Sequence, residues 1–216
     1  MNLSKFLNQL DFSPEKEEIN YIKRETSNLV EEIRKEIKKT RIDADVFVGG
    51  SLAKGTLVGG EEYDIDIFVR FNWKYEDISE RLEKIIKIAS KKIKFKMERV
   101  HGSRDYFRLS KEEKYLFEII PVSRIKNPKE ARNVTDLSYF HVNYVKGKIK
   151  GRLAKEVLIA KKFCEAQKIY GAESYIQGLS GYGLECLIIY YKSFEKLARE
   201  ISKVKDRIVI DSEKKF

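Results

Sequence analysis

Hydrophobic positions change their period several times along the chain, and each change marks a new element. Ile19, Ile22, Thr26, Leu29, Val30, Ile33 and Ile37 recur at helical spacing, which predicts one long helix ending near Thr40. Phe12-Ser13-Pro14-Glu15 reads as its start: Ser13 can cap, Pro14 suits the first turn, and Glu15 meets the positive end of the dipole. Residues 45–50 then read as a short strand running into glycines. Tyr63-Asp64-Ile65-Asp66-Ile67-Phe68-Val69 alternates acid and apolar, as a strand does. Helical spacing returns over residues 77–91 through Ile78, Leu82, Ile85, Ile86 and Ala89. Three strand-like runs follow, at 94–100, 106–109 and 115–122.

Beyond about residue 127 the strand signal disappears. Thr135-Asp136 can open a helix, and residues 154–167 predict another, with Leu158, Ile159, Phe163 and Cys164 inward. Residues 180–194 and 195–204 complete the helical set, and the tail 213–216 is expected to fray. The pattern predicts an α+β fold in two parts: residues 1–130, a mixed sheet with helices, and residues 131–216, a helical domain.

Composition narrows the chemistry. The chain has 216 residues, 42% of them hydrophobic, which is the make-up of a folded protein with a real core. Cys164 and Cys186 are its two cysteines and lie in apolar helical stretches, so no disulfide framework or cysteine zinc site is expected. With two histidines, His101 and His141, metal chemistry must rest on carboxylates. No run of about 18 apolar residues occurs, and the first twelve residues lack a signal peptide's apolar centre. The expectation is a cytoplasmic protein with no membrane partner. Lys and Arg number 44 against 34 acids, a formal charge of +10 that favours nucleotides or nucleic acids as partners.

The informative segment is Val48-Gly49-Gly50-Ser51-Leu52-Ala53-Lys54-Gly55-Thr56. Glycines after a strand let the backbone turn close to a ligand, and the amides of such a turn, with the Ser51 hydroxyl, suit phosphate. Asp64 and Asp66 sharpen this. On a strand, residues i and i+2 share a face roughly 6.5–7 Å apart, and two carboxylates so placed can grip hard cations such as Mg²⁺. Such a pair suits a two-metal phosphoryl-transfer site. Taken alone, the pair reads more readily as solvated acids on an outer face with Ile65, Ile67 and Val69 inward. Glu118 adds a third acid in the otherwise apolar run Tyr115-Leu116-Phe117-Glu118-Ile119-Ile120-Pro121. A carboxylate in a central strand is costly unless it meets a metal or a cationic side chain.

Gly50-Ser51, an interval of twelve residues, Asp64-Ile65-Asp66 and a later strand acid resemble the signature of polymerase β-type nucleotidyltransferases. More narrowly, Gly50-Ser51-Leu52-Ala53-Lys54-Gly55-Thr56 is similar to the Gly-Ser-x-Ala-(Arg/Lys)-Gly-Thr of archaeal (class I) tRNA nucleotidyltransferases, the CCA-adding enzymes. The helical half resembles the same family in Asn133-Val134-Thr135-Asp136-Leu137-Ser138-Tyr139-Phe140-His141, in Lys161, in Tyr170-Gly171-Ala172-Glu173 and in Gly178-Leu179-Ser180-Gly181-Tyr182. Ser193-Phe194-Glu195 and Val209-Ile210-Asp211 continue it, so it covers roughly residues 14–211. The sequence departs from the family pattern in having Glu118 where an Asp is usual and Leu137 where an Arg is usual. It also ends where the family's larger C-terminal tRNA-holding domains begin.

The resemblance implies a polymerase β-like catalytic domain followed by a helical central domain. It implies Mg²⁺-dependent transfer of a nucleoside monophosphate from CTP or ATP to the 3′ end of a tRNA or tRNA-like acceptor. Asp64, Asp66 and Glu118 would be the metal-binding catalytic carboxylates of a two-metal site. Gly50, Ser51 and Lys54 would hold the triphosphate, with Lys161 and Tyr170 as further triphosphate contacts and Ser138 and His141 as nucleotide contacts. RNA is expected along Lys146, Lys148, Lys150, Arg152 and Lys155, with self-association or a partner chain making up for the absent domains. The alternatives are an oligoadenylate or cyclic-dinucleotide synthase, the catalytic subunit of a split tRNA nucleotidyltransferase, and an inactive RNA-binding module.

Overall fold

The computed structural model describes residues 3–7, 9–172 and 174–213. Glu173 and the tail residues 214–216 therefore lie outside the described residues. In chain order the elements are α1 (Leu3–Leu7), α2 (Lys16–Thr40), β1 (Ala44–Val48), α3 (Gly50–Lys54), β2 (Tyr63–Asn72), α4 (Ile78–Lys92), β3 (Lys96–Val100), β4 (Tyr106–Ser110), β5 (Tyr115–Arg124), α5 (Ser138–Lys148), α6 (Arg152–Ala166), α7 (Gly181–Tyr191) and α8 (Phe194–Ile201). They form two compact units. One comprises Pro14–Ala53 and Gly60–Val142; the other comprises the described residues of Met1–Ser13, Lys54–Gly59 and Asn143–Phe216.

The first unit is built on a mixed five-stranded sheet of order β1-β2-β5-β4-β3, in which β2 and β5 run parallel and the other pairs antiparallel. The two-residue period of β2 separates its side chains cleanly. Tyr63, Ile65, Ile67, Val69 and Phe71 are buried, as are Tyr115, Phe117 and Ile119 beside them on β5. That face is covered by the apolar stripes of α2 (Ile22, Leu29, Val30, Ile33, Ile37) and α4 (Ile78, Leu82, Ile85, Ile86, Ala89). Each such side chain contributes about 1.5–3 kcal/mol on burial. The other face of β2 carries Asp64, Asp66, Phe68 and Arg70.

Several boundaries differ from the sequence expectation. Helix α2 starts beyond Pro14, because the Glu15 N–H donates to the Glu18 carboxylate at 3.3 Å; the Ser13 N–H instead donates to Asp11 at 3.0 Å. Strands β2 and β5 run on to Asn72 and Arg124, with Phe71 still facing the core. Polar pairs continue the ladder there: Arg70 bonds Asp45 at 2.8 Å and Arg124 bonds Asp43 at 2.9 Å. The helix expected at Thr135-Asp136 begins as a 3₁₀ turn, Val134–Leu137, whose Asn133 cap accepts the Thr135 N–H at 3.0 Å, and passes into α5 at Ser138.

The second unit buries Val145, Ile149, Val157, Ala160, Cys164, Leu184, Ile188, Ile189, Tyr191 and Leu197 in one core. Leu158, Ile159 and Cys164 of α6 are buried as expected. Phe163 is not: it is 47% exposed and rests against Phe194, ring centroids 5.1 Å apart. On α6 the inward stripe is Val157, Ala160, Lys161 and Cys164, which turns Phe163 to the rim.

Candidate active site

The site is assembled where β1 gives way to α3. The Gly49 N–H donates to the Asp66 carbonyl at 2.8 Å, continuing the β1–β2 ladder by one bond. Gly50 then turns with φ +54°, the left-handed region that glycine enters without a side-chain clash. A Cβ at Gly50 would overlap the Asp66 carboxylate, and one at Gly49 would run into the Phe68 ring. Both glycines are thus required by close approach, and the turn lies directly against Asp66. Ser51 follows, half-buried, in the short α3, which is closed by the Ala53 N–H to Gly49 carbonyl bond of 3.1 Å.

Strand register aligns the rest. Asp66 pairs with Glu118 on β5, and Glu118 pairs with Arg108 on β4, so the three side chains share one face in a row across the sheet. Asp64 lies two residues before Asp66 on the same face. The Arg108 Nη2 donates to the Glu118 carboxylate at 2.9 Å, and Tyr106 and Glu118 line one pocket. The central acid of β5 therefore has a cationic partner, while Arg108 Nε is buried with no acceptor among the described residues. Such an N–H costs about 1–3 kcal/mol. Asp64 is exposed, yet partial desolvation of its carboxyl raises it above the ordinary range, the Glu118 charge adds to this, and Arg108 opposes it.

A second cluster lies within the helical unit. Glu185 of α7 is fully buried; it accepts the Lys54 ammonium at 2.7 Å and the Thr56 hydroxyl at 2.7 Å. The Lys161 ammonium donates to the Thr56 carbonyl at 2.8 Å and stands 3.8 Å from Glu185. Lys161 is 3% exposed, so it is a core lysine and not a solvated helix residue. Tyr170 forms a bridge with Leu179, and its hydroxyl lies over the first turn of α7, where a Cβ at Gly181 would come within 2.9 Å. Gly178 is equally constrained, since a Cβ there would strike the Ile169 carbonyl.

The remaining expected residues are more scattered. Ser138 and His141 flank Tyr139, whose ring faces the Arg70 guanidinium at 3.8 Å and meets Phe47 edge-on at 5.3 Å between centroids. Those contacts tie the start of α5 to the acid-bearing face of the sheet. Lys146, Lys148, Lys150, Arg152 and Lys155 are all exposed; Lys148 pairs with Glu213 at 3.3 Å and Arg152 with Glu156 at 3.5 Å. Three residues of consequence carry no assignment from sequence: Arg108, Glu185 and Asp136. Glu185 could have been found by the reasoning that found Glu118, as a lone acid in the apolar run Leu184-Glu185-Cys186-Leu187.

The donor chemistry suits a hard divalent cation in part. Asp64 and Asp66 present carboxylate oxygens from one face, and Mg²⁺ is commonly held by one or two carboxylates together with substrate phosphates. Among the described residues, no group of three or more His, Cys, Asp or Glu side chains forms a cage by itself. The residues here that could hold a cation are the Asp64–Asp66 pair, with Glu118 adjacent and engaged by Arg108. Among the described residues, no helix is long and apolar enough to cross a membrane.

A strand-turn-helix glycine motif set against paired strand acids on a mixed sheet defines a nucleotidyltransferase domain. The family model for the nucleotidyltransferase domain matches residues 30–137, and the chain belongs to that family. Members use nucleoside triphosphates and a divalent metal. The model for the second domain of tRNA nucleotidyltransferases matches residues 155–216. Within the family the chain is similar to archaeal CCA-adding enzymes. It is 42% identical over 207 residues to that of Nanoarchaeum equitans, covering 95% of this chain and 50% of the relative. With that of Methanosarcina mazei it shares 33% identity over 172 residues, covering 78% and 37%. The chain thus spans half or less of the length of these two relatives. The fold matches a solved structure of Cid1, an RNA terminal uridylyl transferase, with a TM-score of 0.62 at 17% identity, covering 87% of this chain and 52% of that one.

Proposed function

We propose that this chain is an RNA nucleotidyltransferase of the CCA-adding type, transferring CMP and AMP from CTP and ATP to the 3′ end of a tRNA or tRNA-like acceptor with Mg²⁺. The observation that carries this reading is the packing of the Gly49–Gly50 turn on Asp66, beside Glu118 in register. It sets a close-approach backbone for phosphates next to oxygens for a cation. Similarity to CCA-adding enzymes over 95% of the chain supports the acceptor class.

In this reading residues 1–130 are the catalytic domain and residues 131–216 the helical central domain. Asp64 and Asp66 would hold the cations, which would supply charge neutralisation for the departing pyrophosphate. The acceptor 3′ oxygen bonds to the α-phosphorus, the bond to pyrophosphate breaks, and Glu118 or solvent takes the hydroxyl proton. Gly50 and Ser51 orient the triphosphate, with Lys54, Lys161 and Tyr170 as cationic and hydroxyl contacts. Ser138 and His141 meet the nucleoside. Exposed Lys146, Lys148, Lys150, Arg152 and Lys155 take RNA phosphates, and self-association or a partner chain is a further element of this reading. The place of work is the cytoplasm.

The test supplies each labelled nucleoside triphosphate in turn, with tRNA lacking its 3′ terminal nucleotides and with no RNA at all. CMP and AMP incorporation that requires the tRNA supports the reading. Oligoadenylate or cyclic-dinucleotide formed from ATP alone would replace it.

A further inference from the structure

The loop after β2 carries Trp73, the one tryptophan of the chain, and leaves it 47% exposed. A large aromatic side chain left in water forgoes the gain of burial, yet this one is fixed in place. Its indole N–H donates to the Glu130 carbonyl at 3.4 Å, and the Arg132 guanidinium lies over its ring, 3.6 Å from the centroid. Arg132 is held in turn: its side chain donates to the Tyr75 carbonyl at 3.4 Å and its backbone N–H to Asp136 at 3.0 Å. The result is a preformed stack of a guanidinium on an indole at the surface, seven residues beyond Asp66. At the rise of a strand that places it roughly 20 Å from the acids of the reaction.

Cations frame the stack. Residues 126–132 carry Lys126, Lys129 and Arg132 against one acid, Glu130, and Lys74 follows Trp73 directly. All four cations are exposed, and none has an ion-pair partner among the described residues. Glu130 is occupied within its own turn, accepting the Lys126 N–H at 2.9 Å and the Asn127 side-chain amide at 2.5 Å. Unpaired bases stack on aromatic rings and on guanidinium planes, and Lys meets phosphate as a point charge. The carboxylates of an acidic peptide would satisfy the charge but offer no plane to the stack. We infer that this surface binds an unpaired segment of RNA, one base laid on the Trp73–Arg132 stack and the flanking phosphates on Lys74, Lys126 and Lys129. RNA rather than DNA rests on the nucleotidyltransferase reading above.

The experiment uses the full chain with neither triphosphate nor metal, so it judges this surface apart from the transfer reaction. With one tryptophan in the chain, intrinsic emission reports on this site alone. An unstructured RNA of about eight nucleotides should quench Trp73 saturably, whereas a blunt duplex of equal length and polyglutamate should not. Anisotropy of the same RNA, labelled, then compares variants. Trp73→Ala should weaken binding about tenfold or more, and Trp73→Phe, which keeps a ring, by less. Arg132→Lys keeps the charge but loses the plane and should also weaken binding. Lys126→Gln with Lys129→Gln should lower the slope of log K against log salt by about 1.4. Emission unmoved by saturating RNA, or full affinity in a Trp73→Ala variant with unchanged thermal unfolding, would overturn this surface. Equal quenching by polyglutamate would assign it to an acidic protein and overturn the RNA seat likewise.

Discussion

Gly50 approaches the Asp66 carboxylate so closely that a single added methyl group would overlap it, at a backbone angle, φ +54°, that already disfavours any Cβ. Turn and acid are therefore one structural unit: the strand that carries Asp66 sets where the turn lies, and the turn fixes where the carboxylate points. Gly50→Ala should cost about 1–2 kcal/mol from the backbone alone. It should also lower incorporation by about 10²-fold by displacing Asp66. Urea unfolding and initial rates check both; a variant with full activity would separate the turn from the acid.

Asp64 gives a pH signature. Partial desolvation, then the Glu118 charge, raises its carboxyl above the unfolded value, with Arg108 opposing. An acid raised in the folded state stabilises while protonated, below its unfolded pKa, and that contribution is lost as pH rises through the folded pKa. At pH 7 the ionised Asp64 therefore opposes folding. Asp64→Asn should raise Tm at pH 7 and give no gain near pH 3, while abolishing incorporation. A lower Tm at pH 7 would contradict the site electrostatics.

Glu185 faces two lysines, the half-buried Lys54 and the buried Lys161, and its bonds to Lys54 and Thr56 span 131 and 129 positions. Glu185→Gln leaves two ammonium groups without a buried counter-charge and should cost about 3–5 kcal/mol, read as a fall in urea midpoint at unchanged m. Adding Lys54→Met should recover part of that loss, because one uncompensated charge is removed. Strict additivity of the two changes would show that the cluster is not coupled.

Asp136 joins β5 to the turn that leads into α5. It accepts Arg104 at 2.6 Å and the amides of Ser123, Arg132 and Asn133 at 2.7, 3.0 and 3.1 Å. Burial pushes its carboxyl up, but Arg104 and the Ser123 amide outweigh this and hold it below the ordinary range. A depressed acid stabilises above its unfolded pKa and loses that contribution as pH falls through the folded value. Asp136→Ala should cost about 3–5 kcal/mol at pH 7, and progressively less as the pH is lowered below the ordinary Asp range. A pH-independent loss would assign the effect to packing.

Much of this was legible in the sequence, for a physical reason in each case. The acids of β2 stood out because a strand's period of two places Asp64 and Asp66 opposite Ile65 and Ile67, and a core cannot hold both sets. Glu118 stood out because an unpartnered carboxylate is expensive in a central strand. Its partner Arg108 did not, since register across β4 and β5 is not written in either strand's own pattern. The Glu185 cluster was hidden for the same reason: Lys161 looks like any helix lysine until Thr56 is brought to it over 105 positions. Phe163 was misplaced because the buried side of α6 narrows toward its C-terminal end, where Cys164 faces the core and Phe163, 100° round the helix, meets Phe194 at the rim.

The central claim is that Asp66, held under the glycine turn, serves nucleotide transfer to an RNA 3′ end. The most direct measurement compares labelled CMP and AMP incorporation into 3′-trimmed tRNA by the unaltered chain and by Asp66→Asn, with Mg²⁺ present and after chelation. We predict tRNA-dependent incorporation that chelation abolishes and that Asp66→Asn lowers by about 10³-fold or more with the fold intact. Incorporation that survives Asp66→Asn, or a folded, Mg²⁺-supplied chain that adds neither nucleotide, would contradict it.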